Sequence, residues 1–255
     1  MKLNYKVFGE GQPLIILHGL FGSLDNWQTI AKHLSEHFKV YIVDQRNHGQ
    51  SPHSDVFNYE VMAADLFEFI TDHQLLHPII LGHSMGGKTT MQFAVNHPQI
   101  PKKIVVVDIA PKQYPVHHQQ IIAGMEAIDF NHIHSRKEAE EILKKYIPEN
   151  AVRQFILKNI YWKDKNRLAF RFNLEAIKNN IEKMGESLKI NKPFDKPALF
   201  IKGALSNYIL KSDEPLIKEF FPKARFVSFK NVGHWVHAEV PEAFEESVKR
   251  FCLKV

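Results

Sequence analysis

The segment Gly82-His83-Ser84-Met85-Gly86-Gly87 sets a serine between glycines two residues to either side. It follows the apolar run Pro78-Ile79-Ile80-Leu81 and precedes a helix-like stretch from Lys88 to His97. A serine placed this way between strand and helix reads as a nucleophile elbow. Flanking side chains do not fit so tight a turn, the hydroxyl is lifted above the sheet edge, and the next helix aims its N-terminus at it. The chemistry is nucleophilic attack by the Ser84 hydroxyl, which points to a hydrolase. Alone, the motif is only moderately specific, because a glycine-rich turn with an incidental serine looks the same.

Other sites complete it. His18-Gly19-Leu20-Phe21-Gly22 directly follows the apolar run Leu14–Leu17. In a serine hydrolase, one N–H from such a loop and one from the residue after the nucleophile bind the developing oxyanion. That nominates the N–H of Met85 and that of Leu20 or Phe21, with loop geometry deciding between the last two. His18 itself reads as a packed turn residue. Gly233-His234 follows the run Arg225–Phe229, where a late histidine at a strand's C-terminal end can serve as general base. The chain has 15 histidines, so position rather than residue type singles out His234. His237 is a poorer candidate, since the chain there enters the helix expected after Pro241. Asp44-Gln45-Arg46-Asn47-His48-Gly49-Gln50-Ser51 reads as a structural turn whose Asp and Arg pin loops around the site.

The elements that must position these groups alternate. Leu14–Leu17, Val40–Val43, Ile79–Leu81 and Ile104–Val107 read as buried parallel strands, with Lys2–Phe8 as a leading edge strand. Asp25–Leu34, Tyr59–His73 and the stretch after the elbow read as helices. From Pro111 strand-like runs vanish until Ala198–Ile201, and helix-like pieces lie near 117–130, 136–146, 150–160 and 171–184. Alternation then resumes: strand 198–202, helix 213–221, strand 225–229, helix 241–252. The expected fold class is α/β, a doubly wound, mostly parallel sheet with helices on both faces. Residues 1–111 and 193–255 form its core and 112–192 an inserted helical cap.

At 255 residues the chain can bury one large core with room for such an insertion. No apolar run approaches the roughly 18 residues of a membrane span, and Met1–Lys6 lacks a signal-peptide stretch. Cys252, the single cysteine, falls in an apolar stripe with Phe244, Val248 and Phe251, and a reducing, cytoplasmic setting is expected. The net charge of +5 sits wholly in the middle: Lys112 to Lys192 holds 15 Lys/Arg against 10 Asp/Glu. No dense basic run interleaved with aromatics accompanies it, so no nucleic-acid partner is expected. A positive approach to an anionic substrate is the sharper use of that charge.

Together, His18-Gly19, Asp44-x-Arg46-x-His48-Gly49-x-Ser51, the elbow and Gly233-His234 resemble the α/β-hydrolase superfamily nearly end to end, most weakly in the cap. The strings Asp44-Gln45-Arg46-Asn47-His48-Gly49, Val107-Asp108-Ile109-Ala110-Pro111 and Gly233-His234-Trp235-Val236-His237-Ala238-Glu239 resemble one branch, the bacterial YbfF-type acyl esterases. The resemblance implies an eight-stranded sheet and a Ser–His–acid triad. In most of the superfamily the acid follows the strand that is here Ala198–Ile201, but this chain reads Gly203-Ala204-Leu205-Ser206-Asn207 there. Asp213 comes later and suits a helix start. Asp108 ends the strand after the nucleophile helix, which should lie beside the elbow strand, and the esterase branch is similar in this respect. The expected triad is therefore Ser84, His234 and Asp108, with Ser206 an auxiliary partner in the same network.

The resemblance implies a small-molecule ester or thioester substrate, acyl-CoA included, and no cofactor. No His-Glu-x-x-His or Cys-x-x-Cys spacing calls for a metal. Cap residues such as Phe155, Ile156, Ile160, Trp162, Phe170 and Phe172 are expected to supply apolar lining. A C–C bond hydrolase or a menaquinone-pathway-type lyase would keep Ser84 and His234, and a non-catalytic small-molecule receptor could retain the triad. Haloalkane dehalogenases and epoxide hydrolases are disfavoured, since they need an aspartate where Ser84 stands.

Overall fold

The computed structural model describes residues 1–116 and 118–254; position 117, at the start of the helix expected near 117–130, and position 255 lie outside the described residues. The chain begins β1 (Tyr5–Phe8), β2 (Pro13–Leu17), a 3-10 turn over Leu24–Trp27, α1 (Gln28–Leu34) and β3 (Lys39–Val43). It continues α2 (Tyr59–Asp72), β4 (Ile79–His83), α3 (Met85–Asn96) and β5 (Lys103–Val107).

Between β5 and the next strand of the main sheet come α4 (Gln119–Glu126), α5 (Arg136–Leu143), α6 (Asn150–Leu157), β6 (Ile160–Trp162), β7 (Leu168–Phe170), α7 (Leu174–Asn179) and α8 (Ile181–Gly185). The chain ends β8 (Ala198–Gly203), a 3-10 turn (Lys211–Asp213), α9 (Glu214–Phe220), β9 (Ala224–Phe229), α10 (Val236–Glu239) and α11 (Pro241–Leu253).

The main sheet is ordered β1-β3-β2-β4-β5-β8-β9, all parallel except β1, which runs antiparallel to β3. Among the described residues it has seven strands, not the eight that the resemblance implies. The apolar runs account for the difference: seven of them read as strands, and no run is left to build another. β4 and β5 are buried along their whole length, which explains their continuous apolar sequences. Alternate residues feed opposite faces. Leu14, Ile16, Ile79 and Leu81 pack with Ile30 and Leu34 of α1 and Phe244 and Val248 of α11. Ile15, Leu17 and Ile80 pack with Leu66, Phe69 and Ile70 of α2 and Phe93 of α3. Cys252 belongs to the first of these clusters, and burial pushes its thiol up to about 12.

Chain direction across the sheet reverses at β2. β3 lies on one side of it and β4 on the other, so the loops after β2 and β4 diverge at a topological switch point. Ligands of open α/β sheets bind in that crevice, at the carboxyl ends of the strands. The register Leu17↔Gly82 and His83↔Val107 puts His18, Ser84 and Asp108 on one rim.

The segment between β5 and β8 is not wholly helical. Ile160 pairs with Phe170 and Trp162 with Leu168 in a short antiparallel hairpin. Three-residue strands flanking a polar loop leave almost no period-2 signal, which is why the sequence shows no strand in the gap between the helix-like pieces 150–160 and 171–184. The segment is tied to the core by Tyr59 donating to the Met184 carbonyl (2.8 Å) and by the Asn173 N–H donating to the Asn47 carbonyl (2.8 Å).

Candidate active site

Ser84 leaves β4 with φ 53° and ψ −117°, a left-handed backbone that costs a non-glycine residue of order 1–3 kcal/mol. Its N–H donates to the Val107 carbonyl (3.0 Å), and its carbonyl accepts from the Lys88 N–H (3.0 Å). The glycines are demanded by contact. A Cβ on Gly82 would lie 2.1 Å from the Gly86 carbonyl oxygen, and one on Gly86 would lie 2.5 Å from the Leu17 oxygen. Gly19 is less tightly held: its Cβ position lies 3.0 Å from His83 Nδ1 and 3.3 Å from the Ser84 Cβ.

Asp108 follows β5, is fully buried, and also takes a left-handed φ of 51°. Its Oδ2 lies 2.8 Å from His234 Nδ1 and also accepts a hydrogen bond from the Ser206 hydroxyl. Its Oδ1 accepts from the Gly203 N–H at 3.3 Å. A carboxylate only accepts, so Nδ1 carries the proton and Nε2 is left as the basic nitrogen. Among the described residues the Ser84 hydroxyl has no hydrogen bond to the ring; such bonds are often long until substrate tightens them. Asp213 is engaged elsewhere, accepting from Lys112 Nζ (2.6 Å) and the Leu210 N–H (2.8 Å).

Several groups that sequence reasoning missed hold the His234 loop. His83 Nε2 lies 3.0 Å from the His234 carbonyl, which can only accept. Glu239 takes the N–H of Gly233 (2.8 Å) and of Trp235 (3.2 Å). The Tyr208 ring stacks on the imidazole at 4.1 Å between centroids. Glu239, six residues past Gly233, is the one with a sequence signal, since it closes the Gly-His-Trp string. His237 is buried against Trp27, stacked at 4.1 Å.

The loop after β2 forms a turn closed by the Gly22 N–H donating to the Gly19 carbonyl (3.0 Å), with Phe21 at φ 58°. The Phe21 N–H is already donated to His48 Nε2 (3.1 Å), which removes it from the oxyanion candidates. Among the described residues the N–H groups of Leu20 and Met85 make no hydrogen bond, and both residues line the cleft. Asp44 and Arg46 are scaffolding. Asp44 accepts from the Leu24 and Gln50 N–H groups (2.7 and 2.9 Å), while Arg46 makes a forked pair with Asp65 (2.5 and 2.8 Å).

The cleft beside Ser84 is walled by Leu20, Ile109, Val116, Ile181, Met184 and three tyrosines, Tyr59, Tyr114 and Tyr208. The expected lining from 155–172 is not what the fold uses. Ile156, Ile160 and Phe172 are buried in the core, Trp162 is exposed, and Phe170 stacks on Phe172. Ile156, Ile160 and Phe172 are spent on the apolar cluster that the inserted segment shares with Ile104, Val106 and Phe200 of the sheet, and the segment's part of the wall comes from its two ends. Among the described residues no group of three or more His, Cys, Asp or Glu could hold a metal ion, and no helix is long and apolar enough to cross a membrane.

Burial keeps several imidazoles neutral. It lowers His18 to about 4, lowers His48 and His237 to about 3, and holds His83 well below the ordinary range. In the unfolded chain these rings take up protons near pH 6.5. The unfolded state therefore binds more protons below that pH, so stability present above pH 6.5 is lost as pH falls toward 4 and then 3. The urea midpoint is expected to drop steadily from pH 7 to pH 4.5; a flat profile would contradict neutral burial of these rings.

This fold and rim place the chain in a known class: it belongs to the α/β-hydrolase family, whose model, described as the alpha/beta hydrolase fold, matches residues 12–132. Relatives match over nearly the whole chain. It is 37% identical to the sn-1-specific diacylglycerol lipase of Danio rerio, covering 98% of this chain and 82% of that one. It is 35% identical to the Escherichia coli esterase YbfF, covering 98% and 99%. Among solved structures, a marine microorganism esterase superposes with a TM-score of 0.96 at 46% identity, covering 98% of this chain and 99% of that one.

Proposed function

We propose that the protein is a serine esterase and thioesterase that hydrolyses carboxylic esters or acyl thioesters, acyl-CoA among them, through an acyl-enzyme. The observation that carries this reading is the 2.8 Å bond from the His234 ring to buried Asp108, on the rim where the Ser84 elbow stands. Ser84 Oγ attacks the acyl carbon as His234 Nε2 takes its proton, and Asp108 stabilises the imidazolium. The N–H groups of Leu20 and Met85 hold the oxyanion, and losing either donor costs about 3 kcal/mol of barrier. The alcohol or thiol leaves with the proton from Nε2. Water, deprotonated by the same nitrogen, then attacks the acyl carbon and frees the acid and Ser84.

The apolar wall of Leu20, Ile109, Val116, Ile181 and Met184 suits an acyl chain. Residues 112–192 act as the cap and carry the positive charge that an anionic CoA tail would meet, while 1–111 and 193–255 supply the core. The single, buried Cys252 fits a cytoplasmic place of work. The names of the relatives, an esterase and a diacylglycerol lipase, favour ester cleavage over C–C cleavage.

The test is mass spectrometry after brief exposure to a fluorophosphonate and to a mixture of activated esters and acyl thioesters. Label and acyl mass are expected on the peptide holding Ser84 and absent from Ser84→Ala. Labelling elsewhere, or turnover by Ser84→Ala, would overturn the reading. An ester adduct without a thioester adduct would remove the thioesterase half.

A further inference from the structure

Phe21 is a phenylalanine in the conformation that favours glycine, φ 58°, at the third position of the turn Gly19–Gly22. A strained residue persists only where its surroundings hold it from more than one side. Two buried side chains do so here. On the core side, His48 Nε2 accepts the Phe21 N–H (3.1 Å), while His48 Nδ1 donates to the Arg46 carbonyl (2.9 Å). On the other side, Asn159 Nδ2 donates to the Phe21 carbonyl at 2.7 Å.

Asn159 is 2% exposed and joins α6 to the hairpin: its amide also reaches the Phe155 carbonyl (3.2 Å), and its backbone carbonyl accepts the Arg171 N–H (2.8 Å). The Phe21 residue is thus clamped between the sheet core and the inserted segment. Its neighbour Leu20, whose N–H stays free, stands at the cleft beside Ser84.

Resting on the esterase reading above, we propose that Asn159 is a positioning residue that couples seating of the cap to the oxyanion donor of Leu20. With Asn159 in place the turn is locked and the Leu20 N–H faces the developing charge. When the cap lifts, the Phe21 carbonyl loses its donor, the strained turn is free to relax, and the Leu20 N–H turns away. Such a residue acts on the transition state and leaves ground-state binding alone. Burial lowers His48 to about 3 and so holds it neutral and accepting near pH 7, where the core half of the clamp does not titrate away.

Asn159→Asp and Asn159→Leu test this on the full chain. The substrate is p-nitrophenyl butyrate. The probe is an alkyl trifluoromethyl ketone, whose carbonyl carbon bonds to Ser84 Oγ while the serine proton passes to His234 and the ketone oxygen becomes an oxyanion. Because removing an oxyanion donor outright costs about 100–1,000-fold in kcat, a misplaced one is expected to cost about 10–100-fold. KM should stay within about threefold, ketone affinity should weaken in step with kcat, and inhibition by butyrate should hardly move.

A variant with wild-type kcat and ketone affinity, or one changed in KM alone, overturns the proposal. Should Asn159→Leu fail to fold, Asn159→Asp, of nearly the same volume, carries the test; failure of both assigns Asn159 to stability and overturns the proposal as well. A Ser84→Ala variant run alongside separates the two readings: activity there would sink the esterase assignment, whereas its inactivity beside unaffected Asn159 variants would sink only the clamp.

Discussion

Asp108→Asn is expected to lower kcat/KM for an activated ester about ten-thousandfold with little change in the fold, as the equivalent exchange does in a serine-protease triad. The wild-type carboxylate receives the His234 Nδ1–H at 2.8 Å, the Ser206 hydroxyl and the Gly203 N–H. An amide in its place can turn its NH2 group toward Nδ1. The ring then keeps its proton on Nε2, the nitrogen that has to accept one from Ser84. The loss should therefore fall on kcat and leave KM nearly unchanged.

Asp213→Asn is the matched comparison. That carboxylate serves Lys112 and the Leu210 N–H, so its exchange should alter turnover by less than about threefold. Steady-state kinetics on both variants decide which acid works: a large loss at position 213 with a small one at 108 would reverse the assignment.

Gly86→Ala and Gly82→Ala are expected to destabilise the protein by about 3 kcal/mol or more each, a large part of the roughly 5–15 kcal/mol that holds a domain folded. Neither glycine has a left-handed φ, so the effect is one of contact alone. The new methyl at 86 would meet the backbone oxygens of Leu17 and His18 at 2.5 and 2.6 Å, and that at 82 the Gly86 oxygen at 2.1 Å. These atoms belong to the end of β2, to the residue just past it and to the first turn of α3, all of them backbone with little room to move. Gly87→Ala meets instead the Ile109 Cγ2 methyl at 2.5 Å, with the nearest backbone atom, the Gly82 oxygen, at 3.1 Å, so a side-chain shift rather than a backbone shift makes room and it should cost less. Urea unfolding of the three variants gives the order. Equal, small shifts at all three positions would mean that the elbow yields more easily than its contacts require.

The parts of the fold that were legible are those in which local chemistry admits one solution. Strands buried on both faces need continuous apolar runs, so β2, β3, β4, β5 and β8 announce themselves within a residue or two. An elbow that brings backbone oxygens to within 2.1–2.6 Å of a Cβ position must spell glycine there, so Gly82, Ser84 and Gly86 stand out. Less local features were harder to read. The hairpin at Ile160–Phe170 is too short for a period, and the apolar side chains at 155–172 serve the core beneath the inserted segment as readily as they would a cleft.

The amino-acid sequence by itself determined the order of elements, the turn that presents Ser84, and the three candidate residues that the fold carries to one rim. The first two follow from spacing, residue size and the burial each element requires; the choice of His234 and Asp108 rests also on the family resemblance. Only the tertiary structure decided which N–H stays free in the loop after β2. That outcome depends on His48, twenty-seven residues from Phe21, taking one donor while Asn159, 138 residues away, holds the adjoining carbonyl. It likewise decided that Asp213 is spent on Lys112 and that the two ends of the inserted segment, rather than its aromatic centre, wall the cleft. Hydrogen bonds between residues distant along the chain are competitions for a partner, and a competition is settled only when all contenders have been brought to the same place.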